Sequence, residues 1–152
     1  FLVFILINTT WMSTWDLFPA LIYGFISVIG HVFPIWFKFK GGKGVASSFG
    51  LLLIYNPLVA LAMVIAFLIT EYITRYVSVS STVASIMAFI TVVCLHFFVE
   101  PDLIFVIITG LAASLIIYRH RSNYKRLKMG TENRVKLFDK LDQLFKKETN
   151  TK

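Results

Sequence analysis

The sequence predicts an all-α integral membrane protein, a polytopic bundle of about five helices with an amphipathic tail helix on the cytoplasmic side. Three observations predict it. Hydrophobic residues make up 57% of the 152 positions, charged residues only 15%, and the mean hydropathy is +0.76. A soluble domain has about 45–50% apolar and about 25% charged residues. A chain this short cannot bury the excess in one core, and it is too apolar to be disordered. The charge is also segregated. Residues 1–118 carry four bases and four acids, whereas residues 119–152 carry eleven bases and four acids, which accounts for the whole formal charge of +7. Finally, apolar runs of bilayer length alternate with short turn signals. One cysteine, Cys94, excludes an internal disulfide framework and a thiolate metal cluster.

The elements follow in order. Residues 1–7 are an apolar run about 10 Å long as helix, too short for a span, and read as the end of a helix whose beginning is missing. Residues 8–16 form a polar turn. Residues 17–37 can cross a hydrocarbon core of about 30 Å, with Pro34 bending or ending the helix. Residues 38–44 form a basic, glycine-rich loop. Residues 45–70 are apolar but are cut by Asn56-Pro57, a turn signal. A polar stretch at 71–81, an apolar run at 82–99, an acidic turn at 100–102 and an apolar run at 103–118 complete the body. Beyond it, Val135, Phe138, Leu141, Leu144 and Phe145 recur at helical spacing, so residues 131–147 predict an amphipathic helix on the membrane surface. The chain therefore divides into a membrane-embedded unit, 1–130, and a basic tail, 131–152.

Charge decides whether residues 45–70 form one span or two helices. One span puts the lysine loop and the cluster at 119–128 on opposite sides of the membrane. A hairpin at Asn56-Pro57 puts both, together with Arg75, on one side, and Asp16, Glu100 and Asp102 on the other. The positive-inside rule selects the hairpin, basic side cytoplasmic.

Three segments can carry chemistry. In Phe39-Lys40-Gly41-Gly42-Lys43-Gly44-Val45 three glycines and two lysines precede a helix start. Glycines let backbone N–H groups converge on an anion, and the helix N-terminus adds unpaired donors. The spacing fits neither a Walker A loop nor a dinucleotide fingerprint. The same residues read equally as a flexible positive-inside loop. If the last span continues as helix, His120, Asn123 and Arg126 share roughly one face and suit a phosphate or an acyl donor; as snorkelling anchors they would serve only the interface. Arg75 lies between apolar helices, with Glu71 four residues earlier as a possible partner. His96 and Cys94 read as structural. A basic tail suits nucleic acid in other contexts, but behind a membrane body it reads as a cytoplasmic flank, so no nucleic-acid partner is expected.

At these residues the sequence strongly resembles the PlsY family of bacterial acyl-phosphate:glycerol-3-phosphate acyltransferases. Gly30-His31-x-Phe33-Pro34 followed by Phe39-Lys40-Gly41-Gly42-Lys43-Gly44-Val45-Ala46 looks like the family's second motif. Thr74-Arg75-Tyr76-Val77-Ser78 resembles another family stretch. Arg119-His120-x-x-Asn123-x-x-Arg126-Leu127 with Gly130-x-Glu132 looks like the third motif. Nothing in the chain resembles the first motif, a Ser- and Gly-Asn-rich loop with an essential Ser and Arg. Tyr124 stands where an aliphatic residue is usual, a departure expected to be harmless.

The resemblance implies a seven-helix fold in the bacterial inner membrane, its C-terminus cytoplasmic, with residues 1–7 ending the second helix. It implies acyl transfer from acyl phosphate to the 1-hydroxyl of glycerol 3-phosphate, giving lysophosphatidic acid for phospholipid synthesis. The partners are then those two substrates and membrane lipid, without metal or cofactor. It points to His120, Asn123 and Lys43 as catalytic, Lys43 also being the direct phosphate ligand. His31, Lys40, Gly41, Gly42, Gly44, Arg75, Ser78 and Arg126 would bind substrate, and Glu132 would pair with a base as a structural residue. No His-x4-Asp motif occurs, so acyl-CoA-type acyltransferases do not fit. The competing classes are a membrane transporter or binding protein for an anionic solute, and a scaffold without ligand. Without the first motif, residues 1–152 alone are expected to insert but not to turn over.

Overall fold

Turn chemistry sets where each helix begins and ends. The computed structural model describes residues 14–39 and 41–135, with side chains from Ala20 onward; residues 1–13, Lys40 and the tail after Val135 lie outside the described residues. The helices are α1 (Thr14–Val32), α2 (Val45–Tyr55), α3 (Pro57–Thr74), α4 (Val77–Phe98), α5 (Leu103–Arg119) and α6 (Arg121–Lys128), with a 3-10 turn at Ile35–Phe37. Pro34 ends α1 rather than bending it, and the described helix already includes Thr14–Asp16, inside the segment read as a polar turn. Asn56 accepts bonds from the N–H groups of Leu58 (3.1 Å) and Val59 (3.2 Å), with Pro57 as the first helical residue. Asp102 caps α5 in the same way, through Phe105 N–H at 2.9 Å.

The connector expected at 71–81 is mostly helix, broken only at Arg75 and Tyr76. Three hydroxyls along the first turns of α4 find partners within the bundle. Ser80 reaches the buried Glu71 carboxylate at 2.7 Å, Thr82 donates to the Ser78 carbonyl at 2.8 Å, and Ser85 to the Thr82 carbonyl at 2.8 Å. Glu71 thus spends a carboxylate oxygen on Ser80, a partner the sequence reading did not assign. The tail helix does not begin at Thr131 either, since residues 131–135 are not helical; its remainder lies outside the described residues.

Among the described residues, three helices are long and apolar enough to cross a membrane, and the α5–α6 pair, bent by 44°, makes a fourth candidate. Small residues let these helices approach. Ser78, Ser81, Ser85, Ala88 and Val92 form the buried stripe of α4, and Phe105, Thr109, Ala112 and Ile116 that of α5. Leu21, Val28 and Val32 bury one side of α1. Large aliphatics such as Leu61, Ile65, Leu68 and Ile90 remain exposed, as a lipid-facing surface requires.

The short helix α2 doubles back on α3. Leu52 packs with Val59 and Ala60 near the turn, while Val45 and Ala46 share a cavity wall with Val64 and Phe67 further along. This is the hairpin that charge selected, and it gathers the glycine loop, the α3–α4 break and the end of α5 at one end of the bundle.

Candidate active site

The glycine loop folds onto the end of α1, and each of its glycines is required for a different reason. Lys38 (φ 51°) and Phe39 (φ 60°) turn the chain back from the 3-10 turn. Gly42 N–H donates to the His31 carbonyl at 3.2 Å. A Cβ at Gly41 would collide with the His31 carbonyl and the Pro34 ring, and one at Gly42 would strike the His31 imidazole. Only Gly44, the N-cap of α2, needs its positive φ (83°). Arg119 fastens the loop from the far side, donating through Nη2 to the Gly41 carbonyl at 2.8 Å and through Nε to the Gly42 carbonyl at 3.2 Å. With its carbonyls held by Arg119, the loop presents Lys43 and the uncapped first turn of α2 toward the cavity. A helix N-terminus of this kind offers free N–H groups and a positive dipole end to an anion.

The second wall is the bend between α5 and α6. His120 continues the buried stripe of α5 one turn beyond Ile116 and is only 1% exposed. Its Nδ1 lies 2.8 Å from the Ile116 carbonyl. A carbonyl only accepts, so Nδ1 carries the proton and Nε2 of the neutral ring is left as an acceptor. The helix expected to carry His120, Asn123 and Arg126 on one continuous face is instead broken at His120, where the 44° bend starts α6. Asn123 and Arg126 still act together, because both hold Glu132: Asn123 Nδ2 donates to one carboxylate oxygen at 2.7 Å and Arg126 Nε to the other at 2.9 Å. Gly130 (φ 69°) makes the turn that brings Glu132 back. The Asn123 bond, with further help from Arg126 and Ser78, holds the Glu132 carboxyl below its ordinary value despite the opposing effect of burial. Since the Asn123 amide nitrogen is committed to Glu132, its buried Oδ1 is the atom left to accept.

Charge at this end does not balance. Partial burial pushes the Lys43 amine below its ordinary value of 10.5; Glu132 opposes this, and Arg126 and Arg119 reinforce it. Lys43, Arg119 and Arg126 thus act on one another around Glu132, an arrangement that suits an anion.

Between the walls lies a cavity of about 480 Å³. Its lining is polar at His31, Lys43, Ser81 and His120 and apolar at Phe49, Met63, Val64, Phe67 and Val77 from α2, α3 and α4. The cavity at the other end, about 320 Å³ around Tyr55, His96 and Asp102, is built from caps and staples. There Tyr55 OH donates to Asp102 at 2.6 Å, and the same Asp102 caps α5.

Of the predicted site residues, the structure brings His31, Lys43, Gly44 and His120 to the cavity, with Gly41 and Gly42 packed behind them. Asn123, Arg126, Ser78 and Glu132 form the supporting cluster beside it. Arg75 sits at the same end but outside the cavity lining. It ends α3 with φ 64°, stacks its guanidinium 5.0 Å from the Tyr72 ring, and accepts Val135 N–H at its carbonyl. Lys40 lies outside the described residues. Sequence reasoning missed Arg119 as the clamp, Ser81 on the cavity wall, and the apolar wall of Phe49, Met63 and Phe67.

The sequence profile of the family described as glycerol-3-phosphate acyltransferase matches residues 1–130. The chain belongs to this family. It is 46% identical over 121 residues to a Bacillus subtilis (strain 168) glycerol-3-phosphate acyltransferase, covering 80% of this chain and 60% of that protein. It is 43% identical over 129 residues to the Streptococcus mutans counterpart, at 82% and 60% coverage. Among solved structures, the glycerol 3-phosphate form of PlsY (YgiH), an integral membrane glycerol 3-phosphate acyltransferase, superposes with a TM-score of 0.70 at 36% identity, covering 91% of this chain and 66% of that one. The lysophosphatidic acid form gives 0.65 at 33% identity, covering 79% and 70%. This member of the acyltransferase family thus spans about 60% of the length of the curated relatives it matches, and shares with the solved enzymes an all-helical, multi-pass membrane fold.

Proposed function

We propose that this chain forms the substrate-binding part of an enzyme that moves an acyl group from acyl phosphate to the 1-hydroxyl of glycerol 3-phosphate, releasing lysophosphatidic acid and phosphate. The observation that carries the reading is a cavity lined by a cation and polar side chains, Lys43, His31 and His120, together with an apolar wall. An acyl chain fits the wall of Phe49, Met63 and Phe67, and the phosphates fit Lys43, the α2 N-terminus and the surrounding arginines. The donor is already activated, so the site chiefly holds two anions together in the attacking geometry. The hydroxyl oxygen attacks the acyl carbon, the acyl carbon–phosphate oxygen bond breaks, and the hydroxyl proton leaves with the departing phosphate. His120 Nε2 is the acceptor that orients that hydroxyl and hands on its proton, and Asn123 Oδ1 accepts from the neighbouring hydroxyl of glycerol 3-phosphate. The cationic end faces the cytoplasm of a bacterial inner membrane, in line with the positive-inside rule.

Residues 1–152 by themselves insert without turning over, because no stretch among them resembles the family's first motif and its transition-state Ser and Arg. The test is lysophosphatidic acid formation in membranes lacking the host enzyme, with acyl phosphate and acyl-CoA compared as donors. Product from acyl phosphate alone, by the chain co-expressed with a segment carrying the first motif, supports the reading. Product from acyl-CoA, or solute uptake without product, overturns it.

A further inference from the structure

The bend at His120 leaves the direction of α6 undetermined by helix continuity, so something else must set where α6 and its functional residues sit. Most of α6 is solvent-facing charge: Arg121, Lys125, Arg126 and Lys128 are exposed. A side-chain hydrogen bond ties α6 to another membrane helix, the 2.6 Å contact between Tyr124 OH and Thr82 Oγ1 of α4. Its direction follows from proton counting. Thr82 has one hydroxyl proton and gives it to the Ser78 carbonyl at 2.8 Å, so Tyr124 is the donor. A relay therefore runs from Tyr124 through Thr82 to the first turn of α4, three residues before Ser81 on the cavity wall. The Tyr124 ring also lies nearly parallel to the His120 ring, at 28° with centroids 6.4 Å apart, and Tyr124 N–H donates to the His120 carbonyl at 3.0 Å.

We propose that Tyr124 is a positioning residue, whose hydroxyl, anchored on Thr82, fixes the bend so that the His120 ring and Asn123 face the acceptor's hydroxyls. This rests on the acyl-transfer reading above. Far from being a harmless departure, the tyrosine supplies what an aliphatic residue cannot: a hydroxyl that reaches across to α4 and a ring that covers His120. Loss of one such bond lets the bend relax by a fraction of an ångström, which matters for attack geometry and little for phosphate capture.

The test uses the complete gene product carrying Tyr124→Phe, Thr82→Val, both together, or Tyr124→Leu. Each single change at the hydrogen bond should lower kcat about fivefold, with the KM for glycerol 3-phosphate unchanged within about twofold, and the double variant should be no slower than either single one. Tyr124→Leu, which also removes the ring, should be slower than Tyr124→Phe. In protein with 15N-labelled histidine, the His120 ring signals should move in the same way in Tyr124→Phe and Thr82→Val. Multiplicative losses, losses confined to protein yield with normal kcat per folded molecule, or unmoved His120 signals would each overturn the proposal. If the wild type forms no lysophosphatidic acid, the functional reading fails on its own account, and the His120 signals still decide whether Tyr124 orients the ring.

Discussion

The two ends of the bundle are built from the same kinds of residue to opposite effect. At the Tyr55 end, most polar groups close on one another, although the buried His96 Nδ1 has no hydrogen-bond partner among the described residues. Asp102 takes the Tyr55 hydroxyl on one oxygen and the Phe105 N–H on the other, Asn56 caps α3, and the Tyr55 and Phe105 rings meet at 4.5 Å. At the His120 end, polar groups are held from behind and left open in front. Arg119 grips carbonyls, Ile116 fixes Nδ1 and Glu132 fixes Asn123, so Lys43, His120 Nε2 and Asn123 Oδ1 remain for something not part of the fold. A satisfied polar cluster is a staple, and one whose supports are satisfied but whose front is not is a site.

The contrast makes graded predictions. The largest effect belongs to His120→Ala in the complete gene product, which should lower kcat by about a hundredfold, the low end of acid–base and positioning effects, with normal insertion. Poor insertion with normal turnover per folded molecule would make His120 a staple after all. Gly42→Ala should raise the KM for glycerol 3-phosphate about tenfold and that of the donor less, because the new Cβ drives the His31 ring out of place beside Lys43. Steady-state kinetics in both substrates separates the two. Smaller still is Tyr55→Phe, which should cost about 1 kcal/mol of stability for one hydrogen bond and leave kcat and both KM values untouched, as read by thermal unfolding beside the acyl-transfer assay.

The smallest effect is one of pH. The Glu132 carboxyl is depressed in the folded protein, chiefly by Asn123. Its stabilisation is therefore complete above the ordinary value of 4.5 and is lost as pH falls through the lower folded value. Acid unfolding of the wild type should steepen in that window, and Glu132→Gln should flatten it.

Much of the fold was legible because its punctuation is local. Asn56-Pro57 and Asp102 cap helices by their own side chains, and the charge asymmetry selected the hairpin. The helical start of α4 was not legible. Ser78, Ser80 and Ser81 have the composition of a connector, and only tertiary packing buries all three and brings Glu71 to Ser80. In the site, the glycine loop and the His120 cluster stood out as residue types, but Arg119 did not. Its bonds go to backbone carbonyls 77 and 78 positions away, which leave no trace in side-chain identity. The inward orientation of His120, by contrast, has a signal in the periodicity. The stripe of Phe105, Thr109, Ala112 and Ile116 runs on at helical spacing to residue 120, which sets His120 on the bundle-facing side of its helix.

The central claim is that an anionic substrate enters at one end of the bundle and not at the other. Ligand protection of single cysteines tests it most directly. In complete gene product carrying Cys94→Ser, one cysteine is placed at Ala46, an exposed position on the lining of the His120-end cavity, or at Asn56 beside the opposite cavity, and its rate of modification by a water-soluble thiol reagent is followed with and without glycerol 3-phosphate. Protection at position 46 with none at 56 is the predicted result. Protection at 56 alone, or equal protection at both, would contradict the assignment of the site to the His120 end.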